Sequence, residues 1–336
     1  MDALNVTPFG PGEDGFPNVT GTSMTRLSFD EGNNGAVRLG KLFYRFGIGD
    51  LNGDDADADG EGYNSRLTFI IDAVGGEFDV NFGAFNPYFE EEFNGAISRF
   101  GRFNPIYYQG LEGTGASMHY QLSDAIALSL GYLAANANDP SLKNGLFNGA
   151  FAALAQLSFQ PTEALSVGLT YARSYFPGDG VVVSGETGSE FANQPFGEVA
   201  TAADNFGVQA FFQVSPKLAL SGWAGLTLAH AKSSNAAVQQ SDDATIFNWA
   251  VTLALPDLGR PGSLLGFIVG QPPKVTRNDV RDREDGTTAW HIEALYRYSI
   301  TDNITISPGF LVIINPEHNR GNDTIWVGTI RTNFQF

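Results

Sequence analysis

From residue 114 onward, apolar and polar side chains alternate with a period of two, the chain turns tightly, and the alternation runs back. A two-residue period places successive side chains on opposite faces of an extended strand. In "GASMHYQLSDAIALSLGYLAA" one face carries Ala116, Met118, Tyr120 and Leu122, then Ile126, Leu128, Leu130 and Tyr132. The other carries Ser117, His119, Gln121 and Ser129. "FAALAQLSFQPTEALSVGLTYA" puts Phe151, Leu157, Phe159, Leu165, Val167 and Leu169 on one side and Gln156, Ser158, Ser166 and Thr170 on the other. The same pattern sets Phe206, Val208 and Phe212 against Gln209 and Gln213, and Trp290, Ile292 and Tyr298 against His291, Glu293 and Arg297. The closing stretch "TIWVGTIRTNFQF" aligns Trp326, Ile330, Phe334 and Phe336 opposite Arg331.

Two features separate these hairpins from a soluble sandwich. The connections alternate between short ("SDA", "PTEA", "SPK", "PDLGRPGS", "TDN") and long, polar, glycine-rich ones. Aromatic residues gather at strand ends, among them Tyr132, Phe159, Tyr171, Phe206, Trp249, Tyr298 and Trp326. Short turns on one side, long loops on the other and two aromatic girdles describe a transmembrane antiparallel β-barrel, all-β, with its apolar face in lipid and its polar face around a wet lumen. Strands in lipid must close on themselves, because an open edge leaves backbone groups unpaired. If the short turns are periplasmic, the last strand runs inward and Phe336 sits at the inner girdle.

Composition supports this reading mainly by exclusion. No run of about 18 apolar residues occurs, which argues against membrane helices. The net charge of −18 argues against a nucleic-acid partner, which calls for a basic surface. The absence of cysteine removes disulfides, thiolate metal sites and cysteine nucleophiles. The start "MDALNVTPFGPGEDG" carries neither a basic nor an apolar segment, so no signal peptide is expected in this sequence. No nucleophile stands beside a base, so the reading is not an enzyme.

Residues 96–176, with their "ISRFG…NPIY" and "SDA…LSLGYLA" blocks, resemble the cyanobacterial outer-membrane porins, also called iron-uptake porins, within the carbohydrate-selective (OprB-type) superfamily. The resemblance extends from Gly21 to Phe336. It implies location in the cell outer membrane, about 14–16 strands in the complete barrel, a homotrimer, and passive diffusion of inorganic ions and small hydrophilic solutes. The alternatives are a substrate-specific channel or binder for sugars or iron and, more remotely, a barrel enzyme. It also implies an N-terminal S-layer-homology domain that binds peptidoglycan, which this sequence does not contain, and the family's first strands are not found here either; a fragment is the expectation. On this reading 1–336 is one barrel domain, with residues 1–20 loop-like.

Segment 86–113 is the candidate constriction. It does not alternate, joins an outgoing strand to an incoming one, and sets Glu90, Glu91 and Glu92 against Arg99 and Arg102. A loop of this kind folds into the pore and places opposed charges across it; the other reading is a solvated loop with a local ion pair. The expected lumen residues are His119, Gln156, Gln209, Gln213, His291, Glu293, Arg297 and Arg331, with Glu293 and Arg297 as a charge pair on one strand. No cofactor is expected, with one exception. The run "DLNGDDADADGEG" offers Asp55, Asp57, Asp59 and Glu61 as calcium ligands in loop 50–61, although neither register completes an EF-hand and a solvated acidic loop is the competing reading.

Overall fold

The computed structural model describes residues 20–29, 39–50, 65–110, 112–178, 180–301 and 303–335. Among these, thirteen strands form one sheet in chain order. They are β1 (Leu42–Asp50), β2 (Ser65–Gly76), β3 (Gly113–Ser123), β4 (Ile126–Ala134), β5 (Phe151–Thr162), β6 (Leu165–Phe176) and β7 (Thr201–Ser215). The sheet continues with β8 (Leu218–Ala231), β9 (Asp243–Pro256), β10 (Leu264–Asn278), β11 (Trp290–Thr301), β12 (Ile304–Ile314) and β13 (Ile325–Phe334). Every neighbouring pair is antiparallel, as short hairpin turns require.

Register carries the alternation around the sheet. Leu128 lies opposite Leu157, Leu157 opposite Leu169, Leu169 opposite Val208, Val208 opposite Ala224, and Ala224 opposite Trp249. Leu157, Leu169 and Val208 in this outward row are each more than 40% exposed. A continuous apolar exterior of that kind is costly in water and suited to lipid. On the last strand, Trp326, Ile330 and Phe334 are exposed whereas Val327 is buried, so the face expected of "TIWVGTIRTNFQF" is the face observed. Phe336 itself lies outside the described residues.

The inward face departs from the expectation of a wet lumen. Leu133, Ala152, Leu154 and Ala172 point inward and are buried against Phe78, Phe103 and Tyr107. The reason is that the β2–β3 connection, residues 77–112, enters the interior and packs on the wall. Its side chains and backbone bond to inward side chains of β2, β3, β5, β9, β11 and β13 and to a backbone carbonyl of β8. One segment can touch seven strands spread across a thirteen-stranded sheet only if the sheet wraps around it. β1 and β13 are not paired with each other among the described residues. Both run in the same direction, so they could not be antiparallel neighbours.

The five short connections expected from the sequence join β3–β4, β5–β6, β7–β8, β9–β10 and β11–β12, all at one end. The β1–β2 connection leaves from that same end, since Asp50 pairs with Ser65 there. The candidate calcium ligands Asp55, Asp57, Asp59 and Glu61, like residues 1–19, lie outside the described residues.

Candidate functional site

Segment 77–112 is built from short helical turns that the sequence caps locally. Ser98 accepts from Gly101 N at 3.0 Å and opens the turn Arg99–Arg102. Asn104 accepts from Ile106 N at 3.2 Å and opens the turn Pro105–Tyr108, where Pro105 has no N–H that needs an acceptor. Such turns leave backbone groups unpaired, and inside a barrel only wall side chains can satisfy them.

The wall does so at named points. Glu293, on the inward face of β11 and fully buried, accepts from Ile97 N at 2.5 Å, Ser98 N at 3.2 Å and Ser98 Oγ at 2.6 Å. His291 Nε2 lies 3.2 Å from Ser98 Oγ and 3.3 Å from Glu293 Oε2. The Arg331 guanidinium donates to Gly95 O at 2.6 Å and to Glu92 O and Ala96 O at 3.3 Å, and Arg297 Nη1 donates to Asn94 O at 3.0 Å. The expected Glu293–Arg297 charge pair is therefore replaced by two separate attachments to the infolded segment. On the opposite wall, Tyr107 Oη donates to Gln156 Oε1 at 2.7 Å, and the Gln156 amide donates to Phe82 O at 3.3 Å. On the same side as Glu293, two strands away, Thr252 donates to Asn86 Oδ1 at 3.0 Å, while Asn86 Nδ2 donates to Arg102 O at 2.7 Å.

The five charged residues of the candidate constriction have different environments. Arg102 is buried and forms an ion pair with Asp79 at 3.3 Å, while its Nε donates to Glu90 O at 2.9 Å. Asp79 carries no carboxylate-run signature and was not anticipated. Burial, with Glu77 nearby, raises its carboxyl to about 7 against the pull of Arg102. Arg99 stacks over the Tyr108 ring at 3.8 Å and donates to Gly185 O at 3.1 Å. Glu90 Oε2 accepts from Ala84 N at 3.2 Å and Asn86 N at 3.3 Å, and burial raises its carboxyl above the ordinary range. Glu91 is exposed and accepts from Phe93 N at 3.1 Å. Glu92 is half-buried beside Ser28, whose hydroxyl donates to its carbonyl at 3.1 Å. Arg99 and Arg102 are thus held by rings, carbonyls and one buried carboxylate, not set across from the three glutamates.

The remaining inward residues are polar and paired. His119 Nδ1 meets Ser129 Oγ at 2.9 Å, Gln209 Nε2 donates to Thr170 Oγ1 at 3.3 Å, and Gln213 accepts from Tyr88 Oη at 3.1 Å.

A second infolded segment escaped the sequence reading. Residues 177–200, joining β6 to β7, bury Val181, Val183, Phe196 and Val199 against Ala203, Ala229, Ile246 and Val275. The signal was present as valines and a phenylalanine inside an otherwise polar loop. Gln109 Nε2 donates to Val183 O at 2.9 Å, which ties the two segments together. Gly185 permits the contact, because a Cβ there would lie 2.5 Å from Tyr108 Cβ. Residues 20–29 form a third lining piece, with Met24 on Leu311, Ile313 and Val327, and Arg26 paired with Glu186.

Residues 177–200 pack at the end of the interior that carries the long loops, whereas segment 77–112 extends towards the short turns, where Asn94 Oδ1 accepts from Thr305 Oγ1 at 3.1 Å and Tyr88 reaches Gln213. Towards the short turns a cavity of about 430 Å³ remains, bounded by residues 82–90 above and by β3, β5 and the short turns below.

Comparison with known proteins agrees with this architecture. The profile of the OprB family of carbohydrate-selective porins matches residues 3–336. An uncharacterized protein of Synechocystis sp. is 37% identical over 331 residues, covering 94% of this chain and 57% of its own length. An uncharacterized protein of Nostoc sp. is 30% identical over 333 residues, covering 94% of this chain and 56% of its own. This chain thus spans little more than half the length of the curated relatives it matches. The solved structure of Pseudomonas putida OprB at high pH superposes with a TM-score of 0.55 at 18% identity, over 89% of this chain and 73% of that one, which shows the shared fold.

Proposed function

This chain belongs to the OprB family of carbohydrate-selective porins, outer-membrane proteins that are not enzymes, and from that premise we propose that it is a passive diffusion channel for small hydrophilic solutes and inorganic ions. The observation that carries the proposal is the way segment 77–112 is fixed. It crosses the interior and is tied to walls on both sides, by Thr252, Glu293 and Arg331 of β9, β11 and β13 on one and by Ser117 and Gln156 of β3 and β5 on the other. A constriction held at both ends stays at constant width, as a sieve needs. A loose loop would gate at random.

The groups around it are mostly neutral amides and hydroxyls, and its arginines are held by backbone carbonyls, an aromatic ring and one carboxylate, a lining that suits uncharged hydrophilic solutes. A substrate-specific sugar channel is the second reading, favoured by the same amide-lined wall. Homotrimeric assembly and outer-membrane lipid as the surrounding partner belong to the proposal as well.

The test is swelling of liposomes that contain the purified protein. Uptake rates falling smoothly with sugar size support passive diffusion. A rate that saturates with one sugar and is competed by it supports the specific channel. No uptake of any sugar or salt contradicts both.

A further inference from the structure

The cavity at the short-turn end has a chemistry that the channel reading does not use. Its walls hold the Phe85 and Phe211 rings, and Glu90, Asp124 and Glu163 border it, while among the described residues no lysine or arginine does. Phe85 adopts φ 62°, a left-handed conformation that a bulky residue rarely takes. Its ring lies on Gly168, where a Cβ would come within 2.4 Å of the ring edge. The wall has therefore given up a side chain to seat an aromatic ring that stays half-exposed to the cavity. Phe211 faces inward from β7 and packs by Tyr88 at 6.3 Å between ring centroids. Both bonds that Glu90 accepts from backbone N–H groups go to Oε2.

Charge sign and spacing narrow the class of ligand. Among the described residues an anion would meet three carboxylates and no basic residue but His119. A bare metal ion would need carboxylates that converge, and no group of three or more acidic or histidine side chains among the described residues is close enough to hold one. What remains is an extended cation with its own apolar portion. A cavity of about 430 Å³ is large enough for such a molecule. An ammonium group over an aromatic face is attracted by the ring quadrupole, and methylene groups bury against the same ring.

We propose that this cavity is a binding site for organic ammonium ions, such as aliphatic polyamines. The methylene chain lies against Phe85 and Phe211, and the ammonium groups are shared among Glu90, Asp124 and Glu163. The site lies on the path proposed above, so an occupant entering from the short-turn end would obstruct the channel; that consequence alone rests on the channel reading.

The experiment titrates the purified full chain with spermidine by calorimetry and, separately, adds spermidine to either side of single channels in planar bilayers. Glu90→Gln should weaken binding about tenfold, as expected for loss of a charged partner. Phe85→Gly, which keeps the backbone conformation, should weaken it several-fold. Should Glu90→Gln fail to fold, the exposed pair Asp124→Asn with Glu163→Gln serves instead and should weaken binding and flatten its salt dependence. Citrate should neither bind nor compete. Absence of spermidine binding, or equal binding by parent and variants, overturns the inference. Binding in a protein that conducts nothing leaves the site standing and removes the channel reading. Conduction without binding or one-sided block does the reverse.

Discussion

Ser98 and Glu293, 195 residues apart in the chain, are joined by a hydrogen bond of 2.6 Å inside the sheet. Glu293 sits on a strand whose position is fixed by its neighbours, whereas Ser98 belongs to a connection of short turns and forms an isolated β-bridge with Leu27. The bond converts a loop into a fixed bar across the interior. The backbone donors of Ile97 and Ser98 converge on the same carboxylate, beside the Arg331 bonds to Gly95 and Ala96.

Glu293→Leu should release that attachment. Two buried N–H groups lose their acceptor, at about 1–3 kcal/mol each. The thermal midpoint should fall by several degrees and single-channel conductance should rise as the segment withdraws. A variant with unchanged midpoint and unchanged conductance would show that the bar is held elsewhere.

Arg102 and Asp79 should behave as a unit. Arg102→Met leaves the Asp79 carboxyl buried without its cation; because that carboxyl, already raised to about 7, can take up a proton, the loss at neutral pH should be about 1–3 kcal/mol. Adding Asp79→Asn should recover most of it. Chemical denaturation of the two single variants and the double variant gives the coupling, and simple additivity would count against the buried pair.

The β12–β13 connection should weaken in acid. Buried His318 accepts from Ala289 N at 2.8 Å through Nδ1, and its Nε2 lies 3.0 Å from Pro273 O. Burial lowers its pKa from 6.5 to about 4. A base with a depressed folded pKa contributes stability above its unfolded value, and that contribution disappears as pH falls through the folded one. The melting-temperature advantage of the parent over His318→Gln should therefore shrink between pH 6.5 and about 4. An advantage that is constant with pH would contradict the neutral buried imidazole.

The two faces of β5 should respond oppositely to charge. Leu157→Lys faces lipid and should cost about 2–4 kcal/mol if it lies near the bilayer midplane. Ser158→Lys faces the cavity and should cost much less. Urea titration of folding into lipid vesicles measures both, and equal costs would undo the assignment of faces.

The strands were legible because burial in a barrel has the same period as the backbone. Phe151, Leu157 and Phe159 face outward, and Gln156 faces inward, as the alternation requires. The infolding of residues 86–113 was suggested by lost alternation and charged residues between aromatics. Its contacts were not legible: nothing local links Ser98 to Glu293, and Arg331 reads simply as a lumen cation until its bonds to Gly95 and Ala96 are seen. Residues 177–200 were read as a polar outer loop because glycine and acidic residues outnumber Val181, Val183, Phe196 and Val199. Those few apolar residues suffice, since the barrel wall beside them offers alanines with room to receive them. The Glu293–Arg297 pairing failed because two residues on one strand face can each find a nearer partner on an infolded loop.

Single-channel recording in planar bilayers tests the central claim most directly. The protein should give discrete, ohmic conductance steps of one size, and Glu293→Leu should give larger steps. A folded, membrane-inserted protein that passes no current in potassium chloride, while a known porin conducts in the same bilayers, would contradict the account.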